Sequence, residues 1–312
     1  MWILDKVVDV GTRKTICFKD LAMEWVEMKR NTIKHSTYCN YKFIIGKYLI
    51  PNLEELNLKK LEKYNYNTII QNFAKTLSKK TTRDIVNVLK AILNYANIHY
   101  GLTVNIRGIY APRVDAVNIK VLTGREKGRL ERYCIKQGTL TCLGIVISLN
   151  TGLRIGEVCA LKWEDIDLDG RNIYVKKTLQ RVYNGKDSKV IIDSPKTRSS
   201  VRAIPISDKL YAVLQPMKKT YSKDAFFLTG EEDKFFEPRR YQYYYKLILK
   251  ACKVKQYKYH ILRHTFATNC IEVGMDAKSL SEILGHANVN ITLSRYVHSS
   301  YKMKKKYLEK LK

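Results

Sequence analysis

Nowhere in these 312 residues does an apolar run approach the ~20 residues that a membrane-spanning helix needs. The opening MWILDKVVDVG carries an early acid and lacks the apolar core of a secretory signal. The seven cysteines are odd in number, and no two have Cys-x-x-Cys spacing. That excludes a disulfide framework and a zinc knuckle, and it fits free thiols in a reducing compartment. A cytoplasmic chain is expected. No internal repeat or low-complexity segment is present. Acids are scarce too, and no cluster of carboxylates fits a metal pair, which sets aside a metal-dependent nuclease. Asp165-Ile-Asp167-Leu-Asp169-Gly170 opens like a calcium loop, but its twelfth position is Lys176, where a bidentate glutamate is needed. These acids are expected to form a turn into a strand. Neither metal nor cofactor is expected.

What the chain does have is positive charge. Lys and Arg number 57 against 29 Asp and Glu, for a formal charge of +28. That is far beyond what solubility requires and points to a polyanion, nucleic acid first. The charge is spread along the whole chain, not gathered on one amphipathic segment, which argues against a membrane-surface protein.

The first hundred residues have helical periodicity. Phe18, Leu21, Ala22, Trp25 and Met28 mark a first helix. A second is expected over Thr37 to Tyr48, stopping before Pro51. A third begins after Asn67 as its cap and carries Ile69, Ile70, Phe73 and Leu77. A fourth runs through Ile85, Val88, Leu89, Ile92 and Ala96, with Gly101 as stop. Between the last two, Ser78 to Arg83 offers cations and hydroxyls suited to phosphate. The sequence predicts an N-terminal extension (1–14), a four-helix domain (15–101), a linker (102–120), a second domain (121–300) and a tail (301–312).

The second domain opens with Thr123-Gly-Arg-Glu126, which has capping-box spacing. The apolar run Leu140 to Leu149 reads as a buried helix. Three short strands are expected at Asn172–Lys177, Lys189–Ile192 and Arg202–Ile206. The last two are joined by the polar turn Asp193 to Ser200, which would put Lys196 at or near a hairpin tip. Helices return after Ser207. The fold class is therefore mainly α: a helical bundle, then an α+β domain with a small three-stranded antiparallel sheet.

Six residues suggest chemistry on an anion: Arg154, Lys196, His260, Arg263, His286 and Tyr296. Cutting a phosphodiester without metal needs a nucleophile, charge neutralisation on the non-bridging oxygens, and a proton for the leaving oxygen. Arginine forks neutralise oxygens and stay charged. Arg154 and Arg263 fit that task, with Glu157 one turn on from Arg154 as its buttress. His260 lies one turn before Arg263, so both can face one site. His260 and His286 each sit beside a helix end or glycine break, and neutral imidazole accepts protons. His35 and His99 read as structural, and His264 as packed or supporting. A phenol ionises near pKa ~10 and needs a base or positive field. Among 22 tyrosines, Tyr296, Tyr301 and Tyr307 lie downstream of His286, and spacing alone barely separates them. Lys196, on a turn, could reach a groove and protonate a departing hydroxyl.

These residues resemble the tyrosine recombinases, the phage integrase family. TGLRIGEVCALKWEDID is similar to the family's first-arginine box. HILRHTFATNCIEVGMDAKSLSEILGHANVNITLSRYVH is similar to its second box. SPKTRSSVRAIPI resembles the hairpin that carries the family lysine. The likeness spans Val121 to Ser300, and the helical domain resembles the family's SAM-like core-site DNA-binding domain. The resemblance implies that Arg154 and Arg263 bind the scissile phosphate, and that His260 and His286 hydrogen-bond it and assist proton transfer. It further implies that Lys196 is the general acid and that Tyr296 attacks to give a 3′-phosphotyrosyl bond, with neither ATP nor metal.

The implied partners are double-stranded DNA sites and three further copies in a synaptic tetramer, with an accessory directionality protein as an additional partner. The implied role is integration or excision of a phage or mobile element, or chromosome-dimer resolution. The tail 301–312 would pack on a neighbouring protomer. Only Met1 to Cys17 precedes the first helix, so an arm-site domain is not expected and a two-domain layout, or a truncated chain, is. Two other classes remain open: a non-catalytic DNA-binding or architectural protein, and a type IB topoisomerase-like enzyme that relaxes supercoils.

Overall fold

The computed structural model describes residues 16–114, 119–184, 187–193, 200–218, 220–296 and 309. The expected extension 1–14, Lys196 and the expected tail, apart from Glu309, lie outside the described residues. The chain divides into two compact units. One holds the chain to Val117 with Val182–Lys189, and the other holds the remainder.

The first unit is helical. Helix α1 (Phe18–Lys29) buries Phe18, Leu21, Ala22 and Trp25 at the expected spacing, whereas Met28 is exposed. Helix α2 (His35–Ile44) does not stop before Pro51. It runs on through a π-helical turn, Ile45–Leu49, into α3 (Ile50–Leu53), with Pro51 in the first turn of α3. A proline ring normally collides with the carbonyl four residues back. Here that carbonyl belongs to Lys47, inside the widened π turn, so the helical path continues.

A short helix, α4 (Leu58–Lys63), was not expected; the Asn57 side chain caps it by accepting from Lys60 N at 3.0 Å. Helix α5 (Tyr66–Thr76) starts one residue before the expected cap. Asn65 is the cap, and Asn67 instead donates to Gly108 O at 2.9 Å and accepts from Tyr110 N at 3.0 Å. Helix α6 (Lys79–Tyr100) is capped by Ser78 and ended by Gly101 at φ 64°. Lys79 to Arg83 thus form its first turns, not a connecting segment. Residues Leu102, Val104 and Ile109 are buried, and Arg83 donates to Pro112 O, so the chain after Gly101 packs back on this unit.

The second unit is built around α8 (Leu140–Thr151), which is apolar on nearly every side and buried from Cys142 to Leu149. A helix without a polar face must be enclosed. Its neighbours are α7 (Gly124–Gln137), α11 (Pro238–Ala251) and α12 (Ile261–Glu272). Helix α7 begins with the expected reciprocal cap: Thr123 N donates to Glu126 and Glu126 N to Thr123. Helices α9 (Ile155–Ala160), α10 (Asp208–Leu214), α13 (Ala277–Leu284) and α14 (Val289–Tyr296) complete the set.

A three-stranded antiparallel sheet is present, but its members differ from those expected. β1 (Ile166–Asp167) pairs with β2 (Asn172–Val175), and β2 with β5 (Arg202–Pro205), Ile173 facing Ile204. Of the expected turn acids, Asp165 ends a short 3-10 turn, Asp167 lies in β1, and Asp169 is in the turn into β2, where Asp167 accepts from Gly170 N. β3 (Thr178–Asn184) and β4 (Asp187–Asp193) form a separate two-stranded ladder. The expected β4–β5 hairpin is therefore replaced: β4 pairs with β3, and β5 pairs with β2. Burial of Ile173, Val175 and Ile204 on one face drives β2 onto β5.

Candidate active site

Gly152 ends α8 at φ 69°, and a Cβ there would meet Phe266 at 2.6 Å and Leu284 at 2.7 Å. Only glycine fits such a left-handed, crowded turn. Two residues on, Arg154 begins α9. Its backbone N–H donates to Glu157 Oε2 at 2.8 Å and its Nη1 to Glu157 Oε1 at 2.7 Å. A helix stop and a helix start, back to back, thus aim this guanidinium. Its Nη2 reaches across to Gly285 O at 3.1 Å, and about 35% of the side chain stays exposed.

Arg263, one turn into α12, is 2% exposed. Its Nη1 donates to Gly152 O at 2.9 Å and its Nη2 to Leu284 O at 2.7 Å. Both guanidiniums therefore hold the same 284–285 turn, at the end of α13. Each has five N–H donors, and the bonds just described use two of them. The Gly285 turn, at φ 64°, then hands the chain to His286, whose Nδ1 shares a 2.8 Å hydrogen bond with the buried Thr292 Oγ1.

Tyr296 ends α14 and is 6% exposed, packed in an apolar cluster with Ala267, Ile271, Leu280 and Leu284. Its ring lies parallel to that of His286, with centroids 6.5 Å apart. Its hydroxyl shares a 2.7 Å hydrogen bond with His264 Nδ1. His264 in turn meets His260 edge to face, with centroids 4.5 Å apart. The structure thus brings together Arg154, His260, Arg263, His286 and Tyr296; Lys196 lies outside the described residues.

Two further residues belong to this arrangement. One is His264, which the sequence marks as packed or supporting. The other is Arg202 on β5, 6% exposed, which grips Glu157 with both terminal nitrogens at 3.0 and 3.2 Å. Its Nε donates to Ile283 O, and Gly285 lies against its guanidinium: a Cβ there would come within 3.0 Å of Nη1. Arg202 therefore fixes both the carboxylate that aims Arg154 and the turn that both site arginines hold. Nothing in the sequence marks it among 57 basic residues; only its buried partner does.

Arg154 and Arg202 share the Glu157 carboxylate, and Arg263 is held by carbonyl dipoles. The local field is positive, and it shapes every titration in the site. Burial pushes the Glu157 carboxyl up, but Arg202 and then Arg154 overcome it and hold the pKa at about 2. Burial followed by the neighbouring cations holds His286 at about 3 and His264 at about 4. His260 is exposed at its edge, yet partial burial of the ring, then His264, Arg263 and Arg154, bring it to about 4. All three imidazoles are neutral at pH 7. Burial and Arg154 lower Arg263 to about 9, so it remains charged there. Burial raises the Tyr296 phenol, while Arg263, Arg295 and Arg154 pull it down.

These shifts make the unit acid-sensitive. Glu157 falls from an ordinary 4.5 to about 2, so its contribution of ~3 kcal/mol is complete above pH 4.5 and is lost as pH drops toward 2. The imidazoles, depressed from 6.5, act with the same sign. Thermal midpoints measured from pH 7 down to pH 3 should fall. In Arg202→Met the fall should begin at higher pH, because Glu157 keeps only Arg154. Identical pH profiles for the two proteins would show that Arg202 does not hold the carboxylate ionised.

Among the described residues, no group of three or more His, Cys, Asp or Glu could hold a metal, and no helix is long and apolar enough to cross a membrane. Comparison with known proteins gives the class. Residues 120–303 match the phage integrase family, and residues 17–78 match the phage integrase N-terminal SAM-like domain. The chain belongs to the phage integrase family, the tyrosine recombinases.

It is 28% identical over 327 residues to a tyrosine recombinase XerC-like protein of Caldanaerobacter subterraneus subsp. tengcongensis, covering 94% of this chain and 82% of that one. It is 30% identical over 206 residues to the transposase of transposon Tn916 from Enterococcus faecalis, covering 60% of this chain but only half of that protein. The fold matches a Tn1549 transposon integrase fragment in complex with transposon right-end DNA. There the TM-score is 0.78 and the identity 24%, over 95% of this chain and 99% of that one. It also matches lambda integrase, seen as a tetramer bound to a Holliday junction, with a TM-score of 0.65 and 17% identity over 92% of this chain and 80% of that one.

Proposed function

We propose that this protein is a site-specific DNA recombinase that cuts and rejoins DNA through a 3′-phosphotyrosyl intermediate, and that it integrates or excises a mobile element. The observation that carries this reading is the meeting of Arg154 and Arg263 on one turn, Leu284–Gly285, with His286 and Tyr296 beside it.

The guanidinium donors not spent on the protein bind the non-bridging oxygens of the scissile phosphate and neutralise the charge that builds in the transition state. His260 and His286, neutral, hydrogen-bond the same oxygens. The Tyr296 oxygen attacks phosphorus, and the bond to the 5′ oxygen breaks. Lys196 supplies the proton to that oxygen. The phosphotyrosyl bond conserves the phosphodiester, so a partner strand's 5′-hydroxyl reverses the step without ATP. Residues 15–101 and 121–300 are the core-binding and catalytic domains, joined by 102–120, and residues 301–312 pack on a neighbouring protomer. The working assembly is a tetramer on two DNA duplexes in the cytoplasm, and an accessory protein sets direction. Transposon and phage integrases among the similar proteins support the mobile-element role.

The experiment uses the full chain with plasmids that carry one or two copies of a footprinted binding site, in EDTA. Two-site plasmids should give recombinant products whose topology depends on site orientation. Relaxation of one-site and two-site plasmids alike, without recombinants, would instead mark a DNA-relaxing enzyme.

A further inference from the structure

We propose that His264 is the proton acceptor for the attacking tyrosine. This rests on Tyr296 as the nucleophile. Three imidazoles lie in the site, two of them beside the Tyr296 ring, and they are not equivalent. His286 Nδ1 is hydrogen-bonded to Thr292 Oγ1, and its ring lies parallel to that of Tyr296 with centroids 6.5 Å apart. His260 packs edge to face on His264 rather than on the phenol. His264 Nδ1 is 2.7 Å from the phenolic oxygen, at hydrogen-bond distance.

The two helices that carry this pair are fixed against each other. Phe266 and Ile271 of α12 and Tyr296 of α14 share one apolar cluster, which leaves the phenol little freedom to choose another acceptor. The charged and titratable groups about His264 are Arg263 and His260 on its own helix, and Arg295 and Tyr296 on α14. Burial, then Arg295 and Arg263, keep the imidazole uncharged, so Nδ1 can receive a proton when Nε2 carries the ring's own.

In the forward step the Tyr296 O–H bond breaks and an H–Nδ1 bond forms on His264. The freed oxygen pair makes the O–P bond. The P–O5′ bond breaks, and the leaving oxygen takes its proton from the acid, assigned above to Lys196. In rejoining, the phenolate leaves phosphorus and recovers its proton from His264. A phosphate bound at Arg263 offsets one of the two cations that hold His264 down, the other being Arg295.

His264→Asn tests this directly, because the amide oxygen can accept the same hydrogen bond but cannot take the proton. The assay is adduct formation on a nicked suicide substrate under single-turnover conditions, over a range of pH, with DNA affinity and thermal midpoint measured alongside. The expected result is unchanged DNA binding and an adduct rate about 10²-fold lower, without the wild-type loss of rate toward acid. Added imidazole should restore part of the rate to His264→Ala. An Asn variant that cleaves within about threefold of wild type at every pH would overturn the proposal, leaving His264 as a hydrogen-bonding support. So would an Ala variant that is slow and indifferent to imidazole. If Tyr296→Phe still forms adducts, the reading of the nucleophile fails first, and that control separates the two.

Discussion

Tyr296→Phe should bind its DNA site like the parent protein and form no covalent adduct with it. The substitution removes one oxygen and leaves the ring. That ring is the part that fills the apolar cluster with Leu280 and Leu284, so the fold should persist. The hydroxyl hydrogen-bonds His264 Nδ1 and also accepts from the Arg263 guanidinium, and losing such a hydrogen bond costs ~1 kcal/mol, a small part of a domain's stability. Chemistry should respond very differently. A phenyl ring has no atom that can bond to phosphorus, so adduct formation should fall to background, well over ~10³-fold, with Kd within a few-fold. Denaturing gels of suicide-substrate reactions give the first number and filter binding the second. An adduct of ordinary yield in this variant would move the nucleophile to another side chain.

Arg263→Lys is the second large effect. The change keeps the charge and discards the planar fork. Arg263 uses separate nitrogens to hold Gly152 O and Leu284 O, and a lysine cannot hold both and still face a phosphate. The expected cost in cleavage rate is about 10²- to 10³-fold, as for removal of one donor from an anion-stabilising site. Because most DNA affinity comes from many dispersed phosphate contacts, overall binding should change little. Single-turnover cleavage against equilibrium binding at one fixed salt concentration makes the comparison. Parallel losses in both would mean that Arg263 serves general binding instead of the reacting phosphate.

Much of this arrangement was legible in the chain. Periodicity placed α1 and α6, an unbroken apolar run placed α8, the Thr123–Glu126 box marked the start of α7, and Gly101 marked the end of α6. The residues from His260 to Tyr296 lie on three consecutive helices joined by short turns, so proximity in sequence became proximity in space. The failures have specific causes. Pro51 was read as a stop because proline usually is one; the π turn that accommodates it has no sequence mark. Asn184-Gly185 is a hairpin signal that the expected strand pairing does not use, and the pairing of β4 with β5 gives way to β4 with β3.

His264 follows His260 by four residues, the spacing of one helical face. That spacing cannot reveal that α14 brings a phenol to the second ring and not to the first. Arg202 shows the same limit in another form. A strand arginine in a strongly basic chain carries no signal until the fold sets Glu157 against it.

The central claim is that one phenolic oxygen, Tyr296, becomes linked to DNA. The most direct measurement is to trap the covalent complex on a suicide substrate, digest the protein and the DNA, and sequence the peptide that retains a nucleotide. The modification is expected on Tyr296, within the peptide that begins after Arg295. A nucleotide on Tyr301 or Tyr307, or on a serine, would contradict it.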